Sequence, residues 1–169
     1  MPITTNLSLE EKRSLEERIA EFLKDLAVRK GIVKRREEAV VRDLLPSDLQ
    51  YPTENWSRSL STANAYNTIV DFRLPDKKAI VIYGVKCISS NNITSTIKFA
   101  LGVGGTKVKD IVEIEELETA KNKEVIFDTP ILYEDSQYVY IQEYAKAAGT
   151  SKLIYLGLIV EPAGEVISS

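Results

Sequence analysis

The sequence predicts a mainly β protein, an antiparallel sandwich of about eight strands preceded by an N-terminal α-helical arm. Three observations carry this. From Asn67 to Val160 short β-rich runs alternate with turn residues, and most of the intervals between them show no helical period. The last run, Lys152–Val160 (KLIYLGLIV), is nearly all apolar. Before Gly31, by contrast, the apolar residues recur at helical spacing.

The helical arm comes first. Ser8 and Glu11 have the spacing of a capping box, in which the hydroxyl accepts from a backbone N–H three residues on. Leu15, Ile19, Phe22, Leu23 and Leu26 then form one narrow stripe, with Glu10, Glu11, Glu16 and Glu17 early and Arg29 and Lys30 late, as the helix dipole favours. Gly31 supplies a left-handed stop. A second helix is expected from Lys34 to Leu45, with Val33, Val40, Val41 and Leu44 on its apolar side and Pro46 ending it. Residues 1–50 are thus read as an arm of two helices, about 9–30 and 34–45, and Pro46–Thr53 as a linker. The arm carries ten basic and ten acidic side chains and is too small to bury a core alone, so its stripe must pack on the β-domain or on another subunit.

Residues 51–66 lead into the sandwich and hold the only tryptophan, Trp56, a lid for one end of the core or an anchor for a partner. The β-domain occupies residues 67–169. Its strands are read at Asn67–Leu74, Lys78–Ser89, Ser95–Val103, Glu124–Phe127, Tyr138–Tyr144 and Lys152–Val160, with turns at Pro75-Asp76, Ser90-Asn91-Asn92 and Gly104-Gly105; Val108–Leu117 fits strand or helix, and its β-branched Ile111, Val112 and Ile114 favour a strand as far as Glu115. Clean alternation places Ile97, Phe99, Leu101 and Val103 on one face, opposite Thr96, Lys98 and Ala100. Gly84 and Gly157 inside strands mark bulges or close backbone approaches. Ala145–Ser151 is expected to join the last two strands as a hairpin, and the tail Glu161–Ser169 to be partly extended.

Composition narrows the function classes. Hydrophobic residues make up 44 %, enough for a packed core, and no apolar run approaches the ~18 residues of a membrane span. The start, MPITTNLSLEEKR, lacks the apolar region of a secretory signal, so the sequons at Asn6, Asn55 and Asn92 are read as coincidence. Cys87 is alone and forms no intramolecular disulfide. A net charge of −3 argues against nucleic acid as the main partner. Abundant Lys, Glu, Ile and Val beside scarce His, Cys and Met lean toward a heat-adapted, thermophile source.

Candidate chemistry is sparse. Without His, Cys-His and Ser-His mechanisms are excluded, and Cys87 in an apolar run reads as filler. Gly102–Lys107 (GVGGTK) departs from phosphate-loop spacing and reads as a hairpin turn. Asp110, Glu113, Glu115, Glu116 and Glu118 alternate faces on a strand and do not converge on a metal; a cation shared among the loop residues Asp128, Glu134 and Asp135 stays open. The basic cluster Arg29, Lys30, Lys34, Arg35 and Arg36 completes a helix end beside Glu37 and Glu38. Tyr133, Tyr138, Tyr140, Tyr144 and Tyr155 gather late in the chain, as core, rim or stacking platform. Neither catalytic nor metal-ligating residues are assigned, and no cofactor is expected.

A helical arm, a Pro-bearing linker and some eight strands ending in YVYIQEY, AAGTS and KLIYLGLIVEP resemble, from Trp56 to Ser169, the jelly-roll modules of minor capsid and decoration proteins of tailed bacterial and archaeal viruses. The resemblance implies a jelly-roll-like sandwich and a non-enzymatic structural subunit of the virion, assembled in the host cytoplasm. Its partners would be itself, with the arm reaching a neighbour or forming a threefold bundle, and a protein lattice. The contact residues expected are Leu15, Ile19, Phe22, Leu23 and Leu26, joined by Trp56. A carbohydrate- or ligand-binding β-sandwich is the alternative from another class.

Overall fold

The computed structural model describes residues 3–5, 7–52, 54–89 and 91–164. Asn6 of the first sequon, Thr53 of the linker, Ser90 of a turn and the tail 165–169 lie outside them. In chain order the elements are β1 (Ile3–Thr5), α1 (Leu9–Arg29), β2 (Ala39–Asp43), β3 (Arg58–Leu60), β4 (Ala65–Arg73), β5 (Ala79–Cys87), β6 (Thr94–Leu101), β7 (Lys107–Glu113), β8 (Glu124–Tyr133), β9 (Tyr138–Ala145), β10 (Gly149–Ser151) and β11 (Leu153–Pro162).

Two antiparallel sheets form the sandwich, one of five strands in the order β1-β8-β5-β11-β2 and one of four in the order β4-β9-β6-β7. β3 and β10 make a small separate pair. With the short strands β1, β3 and β10 set aside, eight remain, and their pairing is nested. The first pairs with the last (β2 with β11), the second with the seventh (β4 with β9), the third with the sixth (β5 with β8) and the fourth with the fifth (β6 with β7). This is the strand order of a jelly roll.

The helix is built as its residues dictate. Ser8 accepts from the Glu11 amide at 3.1 Å, and Gly31 adopts φ +74° to end it. Its apolar stripe docks on the outer face of the five-stranded sheet. Ile19, Leu23, Leu26 and Ala27 are buried against Ala79, Val81 and Tyr83 of β5, Ile126 of β8, and Leu158 and Val160 of β11. β5 and β11 are therefore covered on both faces, which is why they read as nearly continuous apolar runs. A second core lies between the sheets, around Phe99, Phe127, Tyr133 and Tyr155.

Gly84 and Gly157 sit at register shifts, as their positions inside strands predict. A Cβ on Gly84 would lie 2.5 Å from the Val125 carbonyl oxygen, and one on Gly157 would lie 2.6 Å from that of Val81. Both strands need a residue without a side chain at that point.

Four expectations are corrected. No helix spans Lys34–Leu45: a 3-10 turn at Arg36–Glu38 is followed by β2, in which Val40 and Val41 lie opposite Glu161 and Val160 of β11. Residues 1–50 are not a separate arm, since they contribute β1 and β2 to the five-stranded sheet, and the linker after Pro46 buries Leu49 and Tyr51 in the inter-sheet core. The last two long strands are not a hairpin, because β9 and β11 belong to opposite sheets and Ala145–Ser151 crosses between them. The short strand expected at Glu124–Phe127 continues to Tyr133.

Truncating the fully buried Leu23 to Ala removes contacts that hold helix to sheet, so it should destabilise the fold by about 2–5 kcal/mol. A lowered urea midpoint would show this; an unchanged midpoint would mean that the helix adds nothing to the folded core.

Candidate functional site

The residues expected to make contact between subunits are mostly used inside the chain. Ile19, Leu23 and Leu26 pack on the five-stranded sheet, and Leu15 is half-buried beside them. Trp56 is buried between Tyr51 and Tyr155, with ring centroids 5.1 and 6.0 Å away. Phe22 alone of the six stays exposed, at 42 %. The stripe is narrow because it meets a sheet of its own chain, not a second helix.

The outer face of the four-stranded sheet has no such cover. Registers across β4, β9, β6 and β7 order its side chains in rows: Tyr66, Tyr144, Thr96 and Glu113, then Thr68, Gln142, Lys98 and Ile111. Asp71, Tyr140, Ala100 and Val108 follow, and Arg73 with Tyr138 closes one end. Ala100 is buried, but the others are exposed or half-buried. Val108 and Ile111 show 53 % and 42 % of their surface. A wet sheet face is ordinarily polar; this one carries four tyrosines and two aliphatic residues.

These side chains are ordered among themselves. Tyr66 and Tyr144 meet edge to face at 5.3 Å, and the Lys98 ammonium sits 4.2 Å over the Tyr66 ring. The Thr68 hydroxyl lies 3.0 Å from that of Tyr140 and accepts from the Gln142 amide at 3.3 Å. The Tyr140 ring lies against the Gly102–Thr106 turn, where a Cβ on Gly105 would come within 2.4 Å of it. Such side chains have little entropy left to lose on contact.

A second cluster is buried. Alternation along β9 turns Glu143 inward with Val139 and Ile141, and it is 1 % exposed. One carboxylate oxygen accepts from the hydroxyls of Thr94 (2.7 Å) and Ser151 (2.6 Å), and the other from Tyr155 (2.5 Å). Donors from β6, β10 and β11 thus converge on one carboxylate, which ties the four-stranded sheet to the five-stranded one. Burial pushes the Glu143 carboxyl above the ordinary carboxylate range; Ser151, Tyr155 and Thr94 oppose this by hydrogen bonding, and the Arg58 charge opposes it less. The Tyr155 hydroxyl is pushed up by burial and by Glu143. At the far end of the sandwich a third network joins Arg42 to Asp48 through two hydrogen bonds and to the fully buried Glu161 at 2.8 Å, with Lys78 at 3.5 Å. Bonding to Asp48 raises the Arg42 pKa further, so the guanidinium stays charged.

The remaining sequence candidates disperse. Cys87 is buried, and Gly102–Gly105 forms a turn between β6 and β7. Among the described residues no three His, Cys, Asp or Glu are grouped to hold a metal. Glu134 and Asp135 face Lys30, while Asp128 accepts from Thr4. In the basic cluster Arg36 pairs with Glu21 and Asp25, and Arg35 with Glu38. Of the five late tyrosines, Tyr133 and Tyr155 are core, and Tyr138, Tyr140 and Tyr144 line the outer face. No helix among the described residues is long and apolar enough to cross a membrane.

No family model matches the chain, and no curated protein matches it. Among solved structures, a Bacillus endospore appendage, from a family of disulfide-linked pili, aligns at a TM-score of 0.37 and 11 % identity over 73 % of this chain and 88 % of its own. The C-terminal CBM6 module of LamC, a marine laminarinase from Zobellia galactanivorans, aligns at a TM-score of 0.38 and 9 % identity over 72 % of this chain and 100 % of its own. Neither likeness carries a functional inference.

The buried carboxylate has a measurable signature. A folded-state pKa above the unfolded one means that the folded protein keeps its proton longer. The stability this gives is full below the unfolded value of about 4.3 and is lost as pH rises through the folded value. Glu143→Gln should remove that part of the pH dependence. Urea midpoints across a pH series would test it, and identical slopes for both proteins would show that Glu143 does not titrate in this way.

Proposed function

We propose that the chain is a non-enzymatic structural subunit that acts by adhesion, through the outer face of its four-stranded sheet. One observation carries the reading: among the described residues every other sheet face in the sandwich is covered by the chain itself, while this one is rich in tyrosine and is met by the chain where the Gly102–Thr106 turn lies against Tyr140. Tyrosine offers large contact area with few rotatable bonds, and protein interfaces are enriched in it. The buried titratable groups Glu143 and Tyr155, both pushed up by burial, are tied into a closed network away from that surface. Such a network favours holding strands together over moving protons.

In its finer form the proposal is a capsid-associated subunit, a minor capsid or decoration protein that docks on a protein lattice. The nested strand order supports this only at the level of fold, and a fold hosts many functions. What is specific to this chain is the face.

Light scattering on a sizing column, over a range of concentrations, tests the proposal. The expected result is a mass above the 18.9 kDa of one chain, reduced when Tyr144 is replaced by Ser. A mass of one chain at every concentration, together with retention on immobilised glycans that Tyr144→Ser abolishes, would overturn it in favour of sugar binding.

A further inference from the structure

We infer that the occupant of this face is a second copy of the chain, packed face to face about a twofold axis that crosses the strands. The inference rests on the adhesive reading above and adds the partner and its geometry. An isologous contact requires the surface to complement itself. A twofold axis in the plane of the face, perpendicular to the strands, exchanges its rows end for end and leaves each strand over its own counterpart. If the axis falls between the row of Thr68 and the row of Asp71, each residue of β4 and β9 meets a definite partner, as do the members of those two middle rows on β6 and β7.

Those encounters are compatible across the face. On β4, Tyr66 faces Arg73 of the other copy and Thr68 faces Asp71, which gives a ring for a guanidinium and a hydroxyl donor for a carboxylate. On β9, Tyr144 faces Tyr138 and Gln142 faces Tyr140. On β7, the exposed Ile111 and Val108 cover each other. On β6, Lys98 comes over Ala100, which is fully buried and offers no contact of its own, and the Lys98 ammonium already lies over the Tyr66 ring of its own chain. None of these pairs sets like charges together. The alternative axis, parallel to the strands, sets Asp71 against Val108 and Tyr66 against Glu113, burying carboxylates on apolar or aromatic partners at a desolvation cost.

Four strands ~4.8 Å apart and about seven residues long project roughly 450 Å², which places the contact at the small end of specific interfaces, below the ~800 Å² each partner gives a standard one. Stacked sheets pack with their strands within about 30° of one another, which suits strands that lie antiparallel over their own copies.

The test uses charge at one encounter. Thr68 is exposed, so Thr68→Asp should leave the fold intact, which an unchanged urea midpoint would verify. In a face-to-face pair the introduced carboxylate meets Asp71 of the other copy, and the symmetry repeats the clash. Sedimentation velocity should show the wild type as a dimer and Thr68→Asp as a dimer at least tenfold weaker. Mixing Thr68→Asp with Asp71→Lys should restore association, because the mixed pair sets the introduced carboxylate against the introduced ammonium across the axis. If the wild type associates but Thr68→Asp is unaffected, or the mixture gains nothing, the twofold geometry is overturned while the adhesive reading stands. If the wild type is one chain at every concentration, the second copy is excluded. The adhesive reading is then decided separately by the glycan arm of the light-scattering test.

Discussion

A two-sheet sandwich has four sheet faces, and only two of them can bury each other. The structure depends on how this chain disposes of the other two. The apolar stripe of α1 closes the outer face of the five-stranded sheet, so β5 and β11 become the centre of three layers instead of the wall of two. That contact turns the N-terminal segment from an arm into part of the body. Among the described residues it leaves the outer face of the four-stranded sheet as a large surface whose chemistry is not explained by folding.

The two polar networks fit the same frame. Glu143 and Glu161 are both buried, on opposite sheets; Glu143 accepts three hydrogen bonds from three elements, while Glu161 accepts one from Arg42 and faces the Lys78 ammonium at 3.5 Å. Leaving either carboxylate without its donors would cost more than the bonds themselves contribute, so the networks penalise any other arrangement of the strands that supply them. Glu143 ties β6, β9, β10 and β11; Glu161 ties β2 and β11 to the segment carrying Asp48. β11 is common to both.

Much of this was legible in the sequence. The caps and stripe of α1, the strands from Asn67 onward and the two strand glycines follow from local rules that tertiary contacts then reinforced. β2 was not legible, because Val33, Val40, Val41 and Leu44 satisfy a helical period and the segment is extended only through its partner β11, more than a hundred residues away. β1, β3 and β10 are three residues each, too short for any period to show. Alternation in YVYIQEY did place Glu143 in phase with Val139 and Ile141, a signal that an inward carboxylate should have raised. The outer face was hidden for another reason. Its residues come from four strands, and only their registers show that Tyr66, Tyr144 and Lys98 are neighbours.

The nested pairing also sets an order of events during synthesis. β6 and β7 can close while the chain is still growing, but each outer pair must wait for a later strand, and β2 finds its place only when β11 has left the ribosome. Until then α1, which precedes β5, β8 and β11 in the chain, has no β11 to lie on. The apolar stripe therefore waits without its partner strands until the last of them is made, the stage at which exposed apolar surface invites aggregation.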